Sequence, residues 1–389
     1  MDVTKNTSVK KHTYGKRSGQ KSRKDASKRF LGKTVLSIDI GQHTTKMVLG
    51  RAIKPTIAEV KRFISFPTPP HSVEKGRIIN INTFSEQLAA VIRQEKLKAS
   101  FVFCTMENAE IITREILLPT AAEADMQSML EYEVQQYMPV DLGNYIIQSK
   151  ILDSFSDEGT DKTRFLSTAV PKDLAQSYYD LMQKVNLKAS VLDIQSNSID
   201  KLVQSEIVTA TNSIFLSDIS IAIVDFGYSH INAILMENGK YQFNRYIDQG
   251  ANSIDRSLMS VFNYSEEETD RRKRGSIDLD TSTQIQPDAA EDPEQITLRE
   301  INVVKNVIDN WADELERVFR YYSSRSEDKT VQKIFIHGNA AQIKGFDAYL
   351  SRVLGIPVEQ VQTLNCVRIQ DDSSNLTPYL NAIGAFFRR

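Results

Sequence analysis

Cysteine is almost missing from this chain: Cys104 and Cys366 are the only two in 389 residues. That is too few for a disulfide framework or a zinc cluster, and it suits a reducing compartment. Long apolar runs are missing too, so no segment reads as a membrane span, and the first thirty residues lack the apolar centre of a secretion signal. The sequence holds no G-x-x-x-x-G-K-[ST], no G-x-G-x-x-G after a strand, no nucleophile elbow, no H-E-x-x-H and no kinase motif set. Secreted, membrane-spanning, fibrous and zinc-finger classes are thereby excluded. What is present is ordinary for a globular protein, with 41% hydrophobic and 25% charged residues and enough chain for two domains with full cores.

The net charge of −2 conceals an asymmetry. Residues 1–33 carry eleven Lys/Arg against Asp2 and Asp25, a local charge of +9, which leaves −11 on the rest. This basic arm has too little apolar surface to fold alone and reads as disordered. A cationic arm suits an anionic membrane surface, or is a solvated tail. Without regular aromatic interleaving it does not predict specific nucleic-acid binding.

From Thr34 the pattern is orderly. Strands are predicted over Thr34–Ile40, Thr44–Gly50 and Ile57–Phe66, then a helix from Asn82 or Thr83 to about Leu97 and a strand over Ser100–Met106. Residues 34–106 read as the core of a first lobe. Residues 107–187 read as an inserted α+β subdomain: a strand Ile111–Leu117, a helix Ala121–Tyr137 stopped by Pro139, strands near Tyr145–Leu152 and Thr163–Val170, and a helix from Pro171 to about Val185.

Residues 188–389 read as a second lobe, in which the opening pattern repeats. Asp39-Ile40-Gly41 aligns without a gap to Asp225-Phe226-Gly227, 186 residues later, and Leu49 aligns to Leu235. Each lobe is thus predicted to be a mixed sheet with helices on its faces. Charge runs followed by Ser, Thr, Asp and Pro mark 264–295 as a disordered surface loop within a helical subdomain, 251–325. Ile296–Tyr322 is predicted as one long amphipathic helix with Trp311 as a core anchor, followed by a strand Val331–His337, a helix Ile343–Leu354 and a last helix Thr377–Phe387.

The repeated turn carries the chemistry. A strand ending in Asp-x-Gly and turning tightly offers backbone N–H groups to phosphate oxygens. Its Asp can hold the waters of a Mg²⁺ ion, which keeps much of its hydration shell. Two such turns in register would clasp a triphosphate from both sides, with Asp39 and Asp225 holding the metal through water. The first turn supplies Gly41, Gln42, His43 and Thr44, with Lys46 as a point charge for a phosphate; the second supplies Gly227, Tyr228, Ser229 and His230. A third small-residue turn, Gly338-Asn339-Ala340 with Lys344 after it, would let backbone approach a base or ribose. Candidates for activating a water lie between the lobes: Asp193, Gln195 and Asn197, the first two above all.

Four segments in order carry a resemblance. They are Ser37–Gly41 with Lys46; Pro67-Thr68-Pro69-Pro70 followed by Glu74–Ile78; Glu131–Pro139 with its Tyr137-Met138-Pro139 end; and Val191–Asp193 before Val224–Gly227 and Gly250. Over about residues 34–387 the chain resembles the type IV pilus assembly protein PilM family, within the actin-like ATPases that include FtsA. The resemblance implies an α/β actin-like ATPase fold, with two ribonuclease-H-like lobes and a small α+β insertion in the first. It implies ATP and Mg²⁺ as cofactors, with Gly250 beside the second turn, and at most slow ATPase activity. It also implies a cytoplasmic scaffold, peripheral at the inner membrane, that docks the N-terminal segment of a PilN-like inner-membrane protein near 107–187. An FtsA-like division or filament protein and a small-molecule kinase of the same fold are the alternatives, and self-association stays open.

Overall fold

The computed structural model describes residues 29–138, 141–203, 206–208, 213–281, 292–325, 329–370 and 375–387. Most of the basic arm, Pro139 and the stretch 282–291 lie outside them.

Two sheets organise the chain. The first has six strands in the order Ala189–Ile194, Phe101–Met106, Val35–Ile40, Thr44–Lys54, Ile57–Pro67 and Val367–Ile369. The second has five, ordered Lys240–Ile247, Ile231–Glu237, Ser220–Phe226, Lys333–His337 and Val358–Gln360. Val35–Ile40 is buried along its whole length, as a central strand covered on both faces must be; hence its continuous apolar run broken only by Ser37 and Asp39.

The internal repeat is exact in register. Asp39 pairs with Lys46 and Ile40 with Thr45 across the first hairpin, while Asp225 pairs with Asn232 and Phe226 with Ile231 across the second. On the other side each Asp meets a parallel strand, Asp39 against Thr105 and Asp225 against His337. Both carboxylates therefore emerge at the C-terminal ends of central strands, the end at which open α/β sheets place their ligands.

The inserted unit is a three-stranded antiparallel sheet, Ile112–Pro119, Thr160–Pro171 and Tyr145–Asp157, with Thr160–Pro171 in the middle. The helix Glu123–Tyr137 covers one face, and Ile116, Leu118, Leu130, Val134, Phe165 and Ala169 form a small core of their own. The boundaries differ from those read along the chain. The helix Lys172–Lys184 sends Leu174, Tyr178, Leu181 and Met182 into the core that holds Leu36, Ile38 and Phe84, so it belongs to the first lobe. Ala189–Ile194 and Val367–Ile369 are strands of the first sheet, and the last helix, Leu380–Gly384, packs on Gln195–Leu202. The region 188–389 thus serves both lobes, because sheet partners are chosen across long sequence separations.

The stretch 264–295 also departs from expectation where it is described. Glu266–Gly275 is a helix, capped by Ser265, whose hydroxyl accepts from the Glu268 N–H at 3.2 Å. Three glutamates occupy its first turn, and Arg271 and Arg272 pair with Glu268. The charge runs are the helix's own complement to its dipole rather than a mark of disorder. Ile277 and Leu279 then enter the second-lobe core. The helix Pro293–Ser323 spans 31 residues, and Trp311 on its inner face is fully buried beside Phe226 and Phe346. Among the described residues no helix is long and apolar enough to cross a membrane.

Candidate functional site

The two Asp-x-Gly turns face one cleft. Its walls include Asp39, Gly41, Gln42, His43, Thr44 and Lys46 from one side and Asp225, Gly227, Tyr228, Ser229 and His230 from the other, closed by Gln195, Glu107 and Asn339. The turns are equivalent in detail. A Cβ on Gly41 would stand 2.6 Å from the Thr44 carbonyl oxygen, and one on Gly227 2.8 Å from that of His230, so both turns are too tight for a side chain. Thr68 braces the first, its hydroxyl donating to the Gly41 carbonyl at 2.7 Å. Two contacts span the cleft mouth: the His43 and Tyr228 rings lie 4.7 Å apart, and Lys75 Nζ lies 2.6 Å from Asp248 Oδ2.

The carboxylates sit deeper. Asp39 Oδ1 accepts from the Thr105 hydroxyl at 2.7 Å and from Gln195 Nε2 at 3.0 Å. Asn381 Nδ2 donates to Asp225 Oδ2 at 2.8 Å and reaches Asp39 Oδ2 at 3.4 Å. Burial pushes the Asp225 carboxyl up, but His337, Lys46, the Asn381 hydrogen bond and His230 outweigh it and hold the group below the usual carboxylate range. Burial pushes the His230 and His337 imidazoles down, against the pull of Asp225.

Three buried polar atoms here lack a partner among the described residues: Gln195 Oε1, Asn381 Oδ1 and His337 Nε2. The two Oδ2 atoms that share the Asn381 nitrogen are separated by no more than about 6.2 Å, the sum of their distances to it. No group of three His, Cys, Asp or Glu among the described residues is placed to ligate a metal directly. Two acidic oxygens at this spacing, with unsatisfied amide oxygens beside them, fit an ion held through its own waters, as Mg²⁺ prefers. Residues and group are therefore compatible.

Glu107 was not anticipated. It is buried, follows the strand Phe101–Met106, and accepts from Asn232 Nδ2 of the second lobe at 2.9 Å. Burial, reinforced by the charge of Asp225, pushes its carboxyl up to about 8, so it holds a proton at neutral pH. A buried Thr-Met-Glu closing an apolar strand was the available signal; Asn381, on a helix near the chain's end, offered none.

Other expected residues lie elsewhere. Asp193 is outside the cleft wall: its carboxylate accepts from Asn197 Nδ2 at 2.7 Å and the Ile194 N–H at 3.0 Å, and pairs with Lys201. It secures the start of the helix Gln195–Leu202, and only Gln195 of that pair faces the cleft. Lys344 pairs with Asp278 at 2.6 Å on the surface. Ala340 belongs to the second-lobe core. Gly250 packs against the Tyr228 and His230 backbone and supports the second turn from behind. Gly338 is pressed against Asp225 and the Phe226 carbonyl, leaving Asn339 as the one residue of the third turn in the cleft wall.

The family model of the type IV pilus assembly protein PilM matches residues 37–388. Among solved structures, the PilM-PilN type IV pilus biogenesis complex is similar with a TM-score of 0.73 at 16% identity, over 91% of this chain and 98% of that one. The ethanolamine utilization protein EutJ from Carboxydothermus hydrogenoformans follows at 0.52 and 12% identity, over 95% and 97%. A diol dehydratase-reactivating factor in nucleotide-free form gives 0.50 at 10%, over 91% and 99%. No curated protein sequence matches the chain. At these identities the structural likeness speaks for the fold, which is the actin-like ATPase fold of two lobes with an α+β insertion. With nearly its whole length matched, the chain belongs to the type IV pilus assembly protein PilM family.

Proposed function

We propose that this type IV pilus assembly protein is a cytoplasmic scaffold that holds Mg-ATP between its lobes and docks the N-terminal segment of a PilN-like inner-membrane protein. The observation that carries the nucleotide reading is the pair Asp39 and Asp225, brought together under two equivalent glycine turns. The turn N–H groups would cradle phosphate oxygens, and Lys46 adds a positive charge beside them. Mg²⁺, when bound, would supply counter-charge to the polyphosphate, its waters held by Asp39 and Asp225.

Gln195, with its amide oxygen unpartnered, is placed to orient a water. Asp193 and Glu107 are poorly suited to act as its base: Asp193 is committed to Lys201, and burial raises the Glu107 carboxyl to about 8. Hydrolysis is accordingly slow, and the nucleotide serves to bias lobe arrangement rather than to drive turnover.

The partner reading rests on the insertion. Leu117, Tyr132, Tyr137, Ile146, Ile151 and Phe155 all expose much of their side chains there. Its outer strands, Ile112–Pro119 and Tyr145–Asp157, are the edges of its three-stranded sheet, and a sheet edge is what an added extended segment pairs with. The insertion also touches the second lobe, through Arg164 Nη1 to Gln242 Oε1 at 3.1 Å and Thr113 Oγ1 to Asn244 Oδ1 at 3.1 Å. Lobe rotation would therefore be felt at the docking surface. Such docking would hold the protein at the inner membrane, with the basic arm near anionic headgroups.

The test is calorimetric titration of a synthetic peptide of the PilN-like protein's N-terminal segment, with and without Mg-ATP. Saturable binding whose affinity changes with nucleotide is expected. Absence of binding in both conditions refutes the docking, and equal affinity refutes the coupling.

A further inference from the structure

One side chain from neither turn stands between the two carboxylates. Asn381 lies on the short helix Leu380–Gly384, is only 4% exposed, and places one nitrogen against an oxygen of each aspartate. Two carboxylates can share only the amide's NH₂ end, so these partners fix which way it points. Its oxygen is consequently left without a partner, a costly arrangement for a buried acceptor.

The helix cannot easily yield. Leu380, Ala382, Ile383, Phe386 and Phe387 are buried in the core. One turn after Asn381, a Cβ on Gly384 would collide with the Ser198 backbone. The helix also packs on the first-sheet strands Val35–Ile40, Thr44–Lys54 and Phe101–Met106, so Asn381 is anchored with Asp39 in the first lobe, while Asp225 belongs to the second.

We propose that Asn381 occupies the cation position of the metal-free cleft, tying the two aspartates together until a hydrated divalent cation takes its place. This rests on the reading of Asp39 and Asp225 as a magnesium pair. Both occupants do the same electrostatic work, placing positive character between two acidic oxygens within about 6.2 Å of each other. A hydrated ion held by the two carboxylates would release the amide, and its unpartnered oxygen could then accept from a bound water. The residue is a positioning residue: it sets how tightly the empty cleft holds its lobes together and how strongly a cation must compete.

The test uses the full chain with MgCl₂ alone, without nucleotide, for wild type, Asn381→Ala and the near-isosteric Asn381→Leu. Thermal melts in chelator give the metal-free reference. Both variants are expected to melt lower in chelator and to bind Mg²⁺ about tenfold more tightly than wild type, the worth of one charge-assisted hydrogen bond no longer displaced. With Asp225→Asn in place, the Asn381 substitutions are expected to leave the Mg²⁺ response unchanged. Equal or weaker Mg²⁺ binding in the single variants overturns the role of Asn381 while leaving the magnesium pair intact. No Mg²⁺ response in wild type overturns both.

Discussion

Gly338→Ala is a severe perturbation of the packing directly behind the cleft. Gly338 has φ +93°, a conformation whose occupation by an L-residue costs about 1–3 kcal/mol. The added methyl would also press into Asp225 Oδ1 and stand 2.6 Å from the Phe226 carbonyl oxygen. Neither neighbour can retreat: Phe226 is a fully buried residue of a central strand, and Asp225 is held by Asn381. Overpacking of this kind costs about 1–3 kcal/mol more. The expected loss is thus roughly 2–6 kcal/mol, read in denaturant by the fluorescence of Trp311, the sole tryptophan, and it should come with weakened Mg-ATP binding as Asp225 is displaced. Gly355→Ala is the control, since its φ is +65° but nothing lies within 4 Å of the new methyl; it should lose only about 1–2 kcal/mol. Equal losses at the two positions would refute the argument that Gly338 is required by contact with Asp225.

Glu107→Gln tests the buried proton. The native carboxyl keeps its proton up to about 8, whereas the unfolded chain releases it near 4.5, the ordinary value. The native state therefore binds more protons across that window, and this group's contribution to stability falls as pH rises through it. The variant should gain on wild type in melting temperature between pH 5 and 9; a difference independent of pH would show that Glu107 does not hold the proton. Ser265→Ala removes the cap of Glu266–Gly275 and should cost about 1 kcal/mol locally, seen as faster amide exchange in that helix alone. Unchanged exchange there would mean that packing, not capping, starts the helix.

What could be read along the chain was what is local. Asp39-Ile40-Gly41 and Asp225-Phe226-Gly227 announce themselves because turn chemistry needs neighbouring residues, and the same neighbours build the cleft. The inner stripe of Pro293–Ser323 is likewise a matter of helical period. Asn381 and Asp39 are 342 positions apart, and no pattern along the chain reports such a meeting. Val367–Ile369 joins the first sheet for an equally non-local reason, pairing beside Ile57–Pro67. The small-residue turn that suggests Ala340 and Lys344 as site residues has its glycine packed on Asp225, with Lys344 paired to Asp278 on the surface. In Glu266–Gly275, the clustered charges that suggest a disordered surface loop put acidic residues first and basic residues last, which is also how a short helix is stabilised.

Calorimetric titration of Mg-ATP into wild type and Asp225→Ala bears most directly on the clasp between the two turns. The account predicts binding by wild type that disappears on chelation of the metal and in the variant. At a hundredfold excess over Kd it predicts about 2.7 kcal/mol of added stability for wild type alone. Failure of wild type to bind at millimolar Mg-ATP, or undiminished binding by Asp225→Ala, would contradict it.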